Sequence, residues 1–399
     1  MFLVVGIIGA ISPIAGLFFS ISYFSTFRRP IRSALLCGIS FSAFFYGYIA
    51  DAQNDIYRHM ADLKYYENID LFHCFNVVES SRKASIYVWD IWCWIITQFH
   101  NPYLLQASGA LVGYTIISLI VFDYANEIVA SLKQWIVVLL ALYCVMSPAG
   151  IVIGIRNSVA LLLCCLGAYF YFIKRCNYFL SLIPIVIGIF IHHSVVLVFI
   201  LWLLIPLYKK NKALVLICIT VFLFIFNNYG SYLSTLSGQQ FALSDIATDL
   251  VYSANNYQNY YHLWSFSNIV NFLVSLLLCI ILLIISRAVA KDDDDVKDLW
   301  DFCFLSFWTS CILVLLIGVN GSRYFNITIL LLFVVIMRNL QINYCSMKGN
   351  FVFLIVPLAA LVIASLFLNN RTLAWGTASY GSLLYSSISG YLSRLLVSV

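Results

Sequence analysis

Long apolar runs separated by short charged clusters dominate the pattern of this chain. Twelve runs stand out, at 2–24, 33–50, 103–122, 135–150, 158–173, 178–191, 194–208, 213–227, 266–286, 299–319, 325–338 and 350–368. Runs of this kind predict helices that cross a hydrocarbon core of about 30 Å. One region departs from the rule. Between Lys174/Arg175 and Lys209/Lys210/Lys212 the apolar residues continue from Tyr178 to Tyr208, with His192 and His193 in the middle. A single helix of about 30 residues would be roughly 45 Å long, so the run is predicted to turn back at the histidines. Each arm is then about 14 residues, or roughly 21 Å, too short for a full crossing. The turn is therefore expected below the outer surface.

Charge gives the runs an orientation. Alternating them places Arg28/Arg29/Arg32, Lys174/Arg175, Lys209/Lys210/Lys212, Arg287/Lys291 and Arg338/Lys348 on one side, which marks that side as cytoplasmic. The agreement requires that residues 86–99 do not cross. With Trp89, Trp92, Trp94 and Asp90 within it, that segment is predicted to lie as a helix in the outer interface. The first run is longer than a signal-peptide core and its arginines follow it, so it reads as a retained span with its N-terminus outside. Residues 1–399 then form one integral membrane domain, with 51–102 and 228–265 as outward (periplasmic) loops. Residues 372–399 fit either an interfacial helix or a thirteenth span.

Composition closes off other classes. At 63% hydrophobic and 10% charged residues, with mean hydropathy +0.95, the chain has too little polar surface for a soluble globule. A net charge of +5 is spread over span ends and gives no nucleic-acid footprint. The 12 cysteines lie mostly inside apolar runs without CxxC spacing and read as packing residues. Cys74 is the clear outward-loop cysteine, with Cys93 a conceivable partner. Asp292–Asp295 read as a solvated acidic loop, because four consecutive carboxylates cannot converge on one ion.

Three groups carry candidate chemistry. Asp51, Asp55, Arg58, His59 and Asp62 have the spacing of one helical face, on which Asp55 would orient His59 and raise its basicity; a solvated helix capped by Asp51 and Asn54 explains the same spacing. Arg156 precedes Asn157 and Ser158, which look like a helix N-cap, and Arg323 occupies the short outer turn before Tyr324. Either arginine is a snorkelling side chain or a fixed cation for phosphate, and two at the same depth are costly to keep unless they meet an anion. His192 and His193 either cap the hairpin or act on a polar substrate by proton transfer or hydrogen bonding. Adjacent positions without carboxylate partners argue against a metal site.

The order Asp55-Ile-Tyr-Arg-His59, Gly154-Ile-Arg-Asn-Ser158, Ile191-His-His-Ser194 and Ser322-Arg-Tyr-Phe325 resembles the EpsG-like branch of the Wzy-type O-antigen and exopolysaccharide polymerases, over about residues 40–340. Arg-Asn stands where members often have Arg-Gln, and the histidine is doubled. The resemblance implies an all-α polytopic enzyme of about 12 transmembrane helices, GT-C-like, in the bacterial inner membrane with its site facing the periplasm. It implies transfer of a growing glycan from undecaprenyl diphosphate to a lipid-linked repeat unit, without metal, nucleotide sugar or other cofactor. Arg156, Arg323 and Arg58 would hold the diphosphate, and His192, His193, Asp55 and His59 would serve catalysis. Asp51, Tyr324 and Asn157 would contact substrate. Donor and acceptor oligosaccharide lipids, the bilayer and a chain-length regulator are the implied partners, with no nucleic acid. Tyr252, Tyr257, Tyr260, Tyr261 and Trp264 would stack on sugars or form an interfacial belt. A flippase for lipid-linked oligosaccharides and an O-antigen ligase are the competing readings. The flippase requires a polar path across the bilayer that the outer clustering of ionisable residues does not offer.

Overall fold

The structure is a computed structural model and describes residues 2–48, 55–77, 87–146, 148–236, 266–290, 294–342, 357–366 and 368. Among these residues there are helices and turns and no strand. In chain order the helices are α1 (Phe2–Ile11), α2 (Pro13–Phe27), α3 (Pro30–Tyr46), α4 (Asp55–Asp62), α5 (Tyr87–Thr97), α6 (Tyr103–Glu127), α7 (Leu132–Val145) and α8 (Pro148–Ile153). They continue as α9 (Ile155–Phe172), α10 (Tyr178–Ile189), α11 (Val196–Lys210), α12 (Lys212–Leu236), α13 (Phe266–Ala290), α14 (Asp294–Ile317), α15 (Phe325–Ile342) and α16 (Pro357–Leu366). Five segments among the described residues are long and apolar enough to cross a membrane: Tyr103–Glu127, Ile155–Phe172, His193–Lys210, Ile269–Arg287 and Val296–Leu316. Seven shorter apolar helices accompany them.

Two elements differ from the expectation. The first apolar run is two helices, α1 and α2, joined through an extended Ser12 (φ −136°) with Pro13 opening α2. Proline has no N–H and its ring crowds the preceding turn, so a kink falls there. Helix α9 begins at Ile155 with Gly154 as its N-cap, so Asn157 and Ser158 lie inside its first turn instead of capping it.

The packing follows from side-chain size and from where polar groups find partners. Helix α3 lies along α6, with Phe41 stacked on Tyr114. Gln106 of α6 donates to the carbonyls of Phe45 and Tyr48, 2.6 Å each. It thereby satisfies acceptors that the end of α3 leaves without helical partners. Helix α10 approaches α9 closely at Gly167, where a Cβ would fall 2.7 Å from the Ser181 carbonyl oxygen, and at Gly188, where it would fall 2.9 Å from that of Ala160. Any larger residue at either position would force the pair apart.

Several residues of the basic clusters find their partners at one end of the bundle. Lys174 pairs with Asp123 (3.2 Å) and Glu127 (3.1 Å), and Lys209 and Arg175 both reach Asp298, at 2.6 and 3.9 Å. Lys212 pairs with the buried Asp301 at 2.8 Å, Arg28 donates to the Ala130 carbonyl, and Arg287 lies over Trp300. Lys291, Lys348 and residues 372–399 lie outside the described residues. Helix α9 runs 18 residues from this end, about 27 Å. Its start, the turn between α10 and α11, and the turn after α14 therefore share the opposite end.

Candidate functional site

The hairpin turns where length and polarity require. Helix α10 stops at Ile189, α11 starts at Val196, and His192 sits between them in extended conformation (φ −153°). At this turn the Phe190 carbonyl accepts from the backbone N–H groups of Val88 (3.1 Å) and Trp89 (3.3 Å), at the start of α5. The hairpin thus caps α5. Helix α5, expected in an outer interface, packs against the bundle with one face, on which Trp89 and Asp90 are fully buried. Asp90 accepts from the Tyr66 hydroxyl at 2.8 Å. A buried carboxylate needs such a donor, and the Tyr66–Asp90 bond fixes the face that α5 turns inward.

Trp89 is the hinge of one wall. The guanidinium carbon of Arg156 lies 5.6 Å from its ring centroid, and the His59 ring meets it edge-on at 5.2 Å. Helices α4, α5 and α9 therefore place a cation and an imidazole against one indole. The helical face expected in the first loop is divided by the structure. His59 and Asp62 turn inward and are buried, while Arg58 and Asp55 pair with each other at 3.2 Å, both nearly half exposed. Asp55 thus pairs with Arg58 in place of the expected His59. Asp51 and Asn54 lie outside the described residues, as do Tyr252, Tyr257, Tyr260, Tyr261 and Trp264.

Ser194 ties the remaining motifs together. Its one hydroxyl proton is shared between His192 Nδ1, 2.7 Å away, and Asn157 Oδ1, 3.4 Å away, while its carbonyl accepts from the Tyr324 hydroxyl at 2.8 Å. One residue at the head of α11 thus links the residue after Arg156, the first histidine, and the residue after Arg323. Arg323 stands in a 3-10 turn, Gly318–Tyr324, folded tightly back on α14. A Cβ at Gly321 would fall 2.5 Å from the backbone of Leu313 and Val314, so this turn requires glycine.

Electrostatics agrees with the geometry. His192 lies in the turn, outside the helices on either side. Burial holds its imidazole well below the ordinary histidine range, and the positive charges of Arg156 and Arg323, with His193, push it the same way. The ring is neutral at pH 7. The Ser194 backbone N–H can only donate, and it points at His192 Nδ1 (3.3 Å), so the neutral ring carries its proton on Nε2. His192 offers a hydrogen-bond donor beside two cations, a set that suits phosphate oxygens. His193, the next residue, is itself buried.

Ser194 and Trp89 were not among the site residues expected from sequence. The serine follows directly on the doubled histidine at the start of a predicted helix, which is the available signal for it. Cys74 and Cys93 are both buried thiols, and Cys74 Sγ donates to the Leu71 carbonyl.

A bundle that is all-helical among the described residues, with several segments long and apolar enough to span a bilayer, is a membrane protein. The chain belongs to the EpsG family, whose model matches residues 33–386, most of its length. No curated protein and no solved structure matches it.

Proposed function

We propose that this chain is a glycan polymerase acting on polyprenyl-diphosphate-linked sugars. On this reading it is a GT-C-like protein of about twelve spans in the bacterial inner membrane, with Arg156, Arg323 and His192 on the periplasmic side. Membership of the EpsG family supports a role in polysaccharide assembly. The observation that carries the reading is the knot at Ser194, which joins Asn157, His192 and Tyr324 and so holds Arg156 and Arg323 about one neutral imidazole.

The chemistry follows from those groups. The acceptor hydroxyl oxygen attacks the anomeric carbon at the reducing end of the donor glycan, the bond from that carbon to the diphosphate oxygen breaks, and the diphosphate leaves with the electron pair. Arg156 and Arg323 neutralise the charge that grows on the leaving group, and His192 adds a hydrogen bond from Nε2–H. The acceptor proton is assigned to His59, which faces the same indole as Arg156. His193 and Asn157 shape the wall, Tyr324 positions the arginine turn, and Asp55 and Arg58 form an outer rim. Flipping would need polar groups along the bilayer interior, whereas α9 carries no charged residue between Arg156 and its end.

In cells, Arg156→Ala at normal protein level is expected to abolish long polysaccharide and leave single repeat units on the carrier. Unchanged chain lengths would refute the assignment.

A further inference from the structure

A cavity of about 160 Å³ lies on the other flank of α9, between α7, α8, α13, α15 and α16. Its place relative to the arginines follows from helix geometry. Ser158, in its wall, is two residues beyond Arg156, about 200° round the helix. The cavity therefore adjoins the proposed transfer site across the width of one helix.

Its lining is unusual for a space among apolar helices. Ser158, Asn271, Ser275, Asn326 and Ser365 contribute amides and hydroxyls, the remaining wall is apolar or glycine, and no residue of the lining is ionisable except Cys165, a buried thiol. Asn271 and Asn326 are half-buried residues of this lining. An amide carries two donors and a carbonyl acceptor, so each can hydrogen-bond hydroxyls of a ligand that enters the cavity. A cavity of roughly 150 Å³ accommodates a six-membered ring the size of benzene. Here the walls combine neutral donors and acceptors with aliphatic surface, the complement of a sugar ring with its hydroxyl edge and C–H faces. An anion would find no cation in this lining. A polyprenyl chain would offer neither amide a hydrogen bond.

We propose that this cavity binds a neutral sugar ring of the lipid-linked repeat unit, with Asn271 and Asn326 hydrogen-bonding vicinal hydroxyls. The proposal rests on the polymerase reading for the identity of the glycan, and extends it to residues that no motif marked. A substrate of several sugars reaches from the arginines round the start of α9 into the cavity, which makes it a register for the repeat unit.

The test uses the full chain in detergent micelles and, as probe, the free repeat-unit oligosaccharide without lipid or diphosphate, with binding read by saturation-transfer NMR. Wild type and Arg156→Ala are expected to bind it alike, and Asn271→Leu combined with Asn326→Leu to bind at least tenfold more weakly. Asn326→Gln, which keeps the amide, serves as a second variant and is expected to retain part of the affinity. Unchanged binding in the double leucine variant would overturn the proposal. So would absence of oligosaccharide binding to the wild type, or loss of polyprenyl phosphate binding in the double variant with oligosaccharide binding intact. The polymerase reading is judged separately, by chain extension in wild type and Arg156→Ala. Extension that depends on Arg156 but not on the two asparagines removes the sugar subsite and leaves the polymerase standing.

Discussion

The hydroxyl of Tyr324 donates to the carbonyl oxygen of Ser194 at 2.8 Å, joining positions 130 residues apart. That bond holds the turn bearing Arg323 against the turn bearing His192. Tyr324→Phe removes the hydroxyl and keeps the ring. A hydrogen bond of this kind contributes about 1 kcal/mol, so thermal denaturation in detergent should show a small loss of stability. The rate of glycan extension should fall further than the stability change accounts for, because the arginine turn loses its anchor. Equal rates in the two proteins would detach Arg323 from the site.

Trp89 contacts both Arg156 and His59 and is fully buried. Trp89→Ala should destabilise the protein by about 3–5 kcal/mol through the cavity it leaves. Trp89→Phe keeps an aromatic face for the guanidinium, an interaction worth about 0.5–1 kcal/mol where exposed and more when desolvated. The expected order of extension rates is wild type, then Phe, then Ala.

Arg58 is an internal control for Arg156. Its partner is Asp55, and an exposed pair of that kind contributes about 0–1 kcal/mol. Arg58→Ala should change extension less than twofold, against a loss of at least 100-fold for Arg156→Ala, the scale of removing one transition-state donor. Comparable losses would return the diphosphate to the outer rim.

His192 predicts a pH dependence. Its folded pKa is depressed, so below the unfolded value of about 6.5 the unfolded chain binds a proton that the folded chain refuses. The stability this provides is complete above about pH 6.5 and is lost as the pH falls towards the folded value. His192→Gln keeps a neutral polar group and should flatten that part of the melting-temperature profile. An unaltered slope would mean that His192 titrates normally.

Much of the site could be read from the chain because the features concerned were expensive to place elsewhere. An apolar run too long for one helix had to break at its polar pair, and the break falls at His192. Arginines at the ends of apolar runs had few alternatives, and Arg156 and Arg323 both act on the same imidazole. The packing of α5 was less legible, since Trp89, Trp92, Trp94 and Asp90 predict a helix but not which face meets the bundle. What fixes that face is the capping carbonyl of Phe190, about a hundred residues later in the chain. The first-loop face was legible only in part, for a related reason. Spacing places Asp55, Arg58 and His59 near one another, but cannot say that packing against Trp89 takes the histidine inward and leaves the ion pair outside. Ser194 gave almost no signal, because a serine at a helix start is common and its three partners come from distant segments.

Chain extension by the purified protein, reconstituted in vesicles with lipid-linked repeat units alone, tests the central claim most directly. The account predicts multimers of the repeat unit from wild type without nucleotide sugar or added metal, and a loss of at least 100-fold in both Arg156→Ala and Arg323→Ala at equal protein level. Multimers formed equally well by the two arginine variants, or no multimers from a folded wild-type protein, would contradict it.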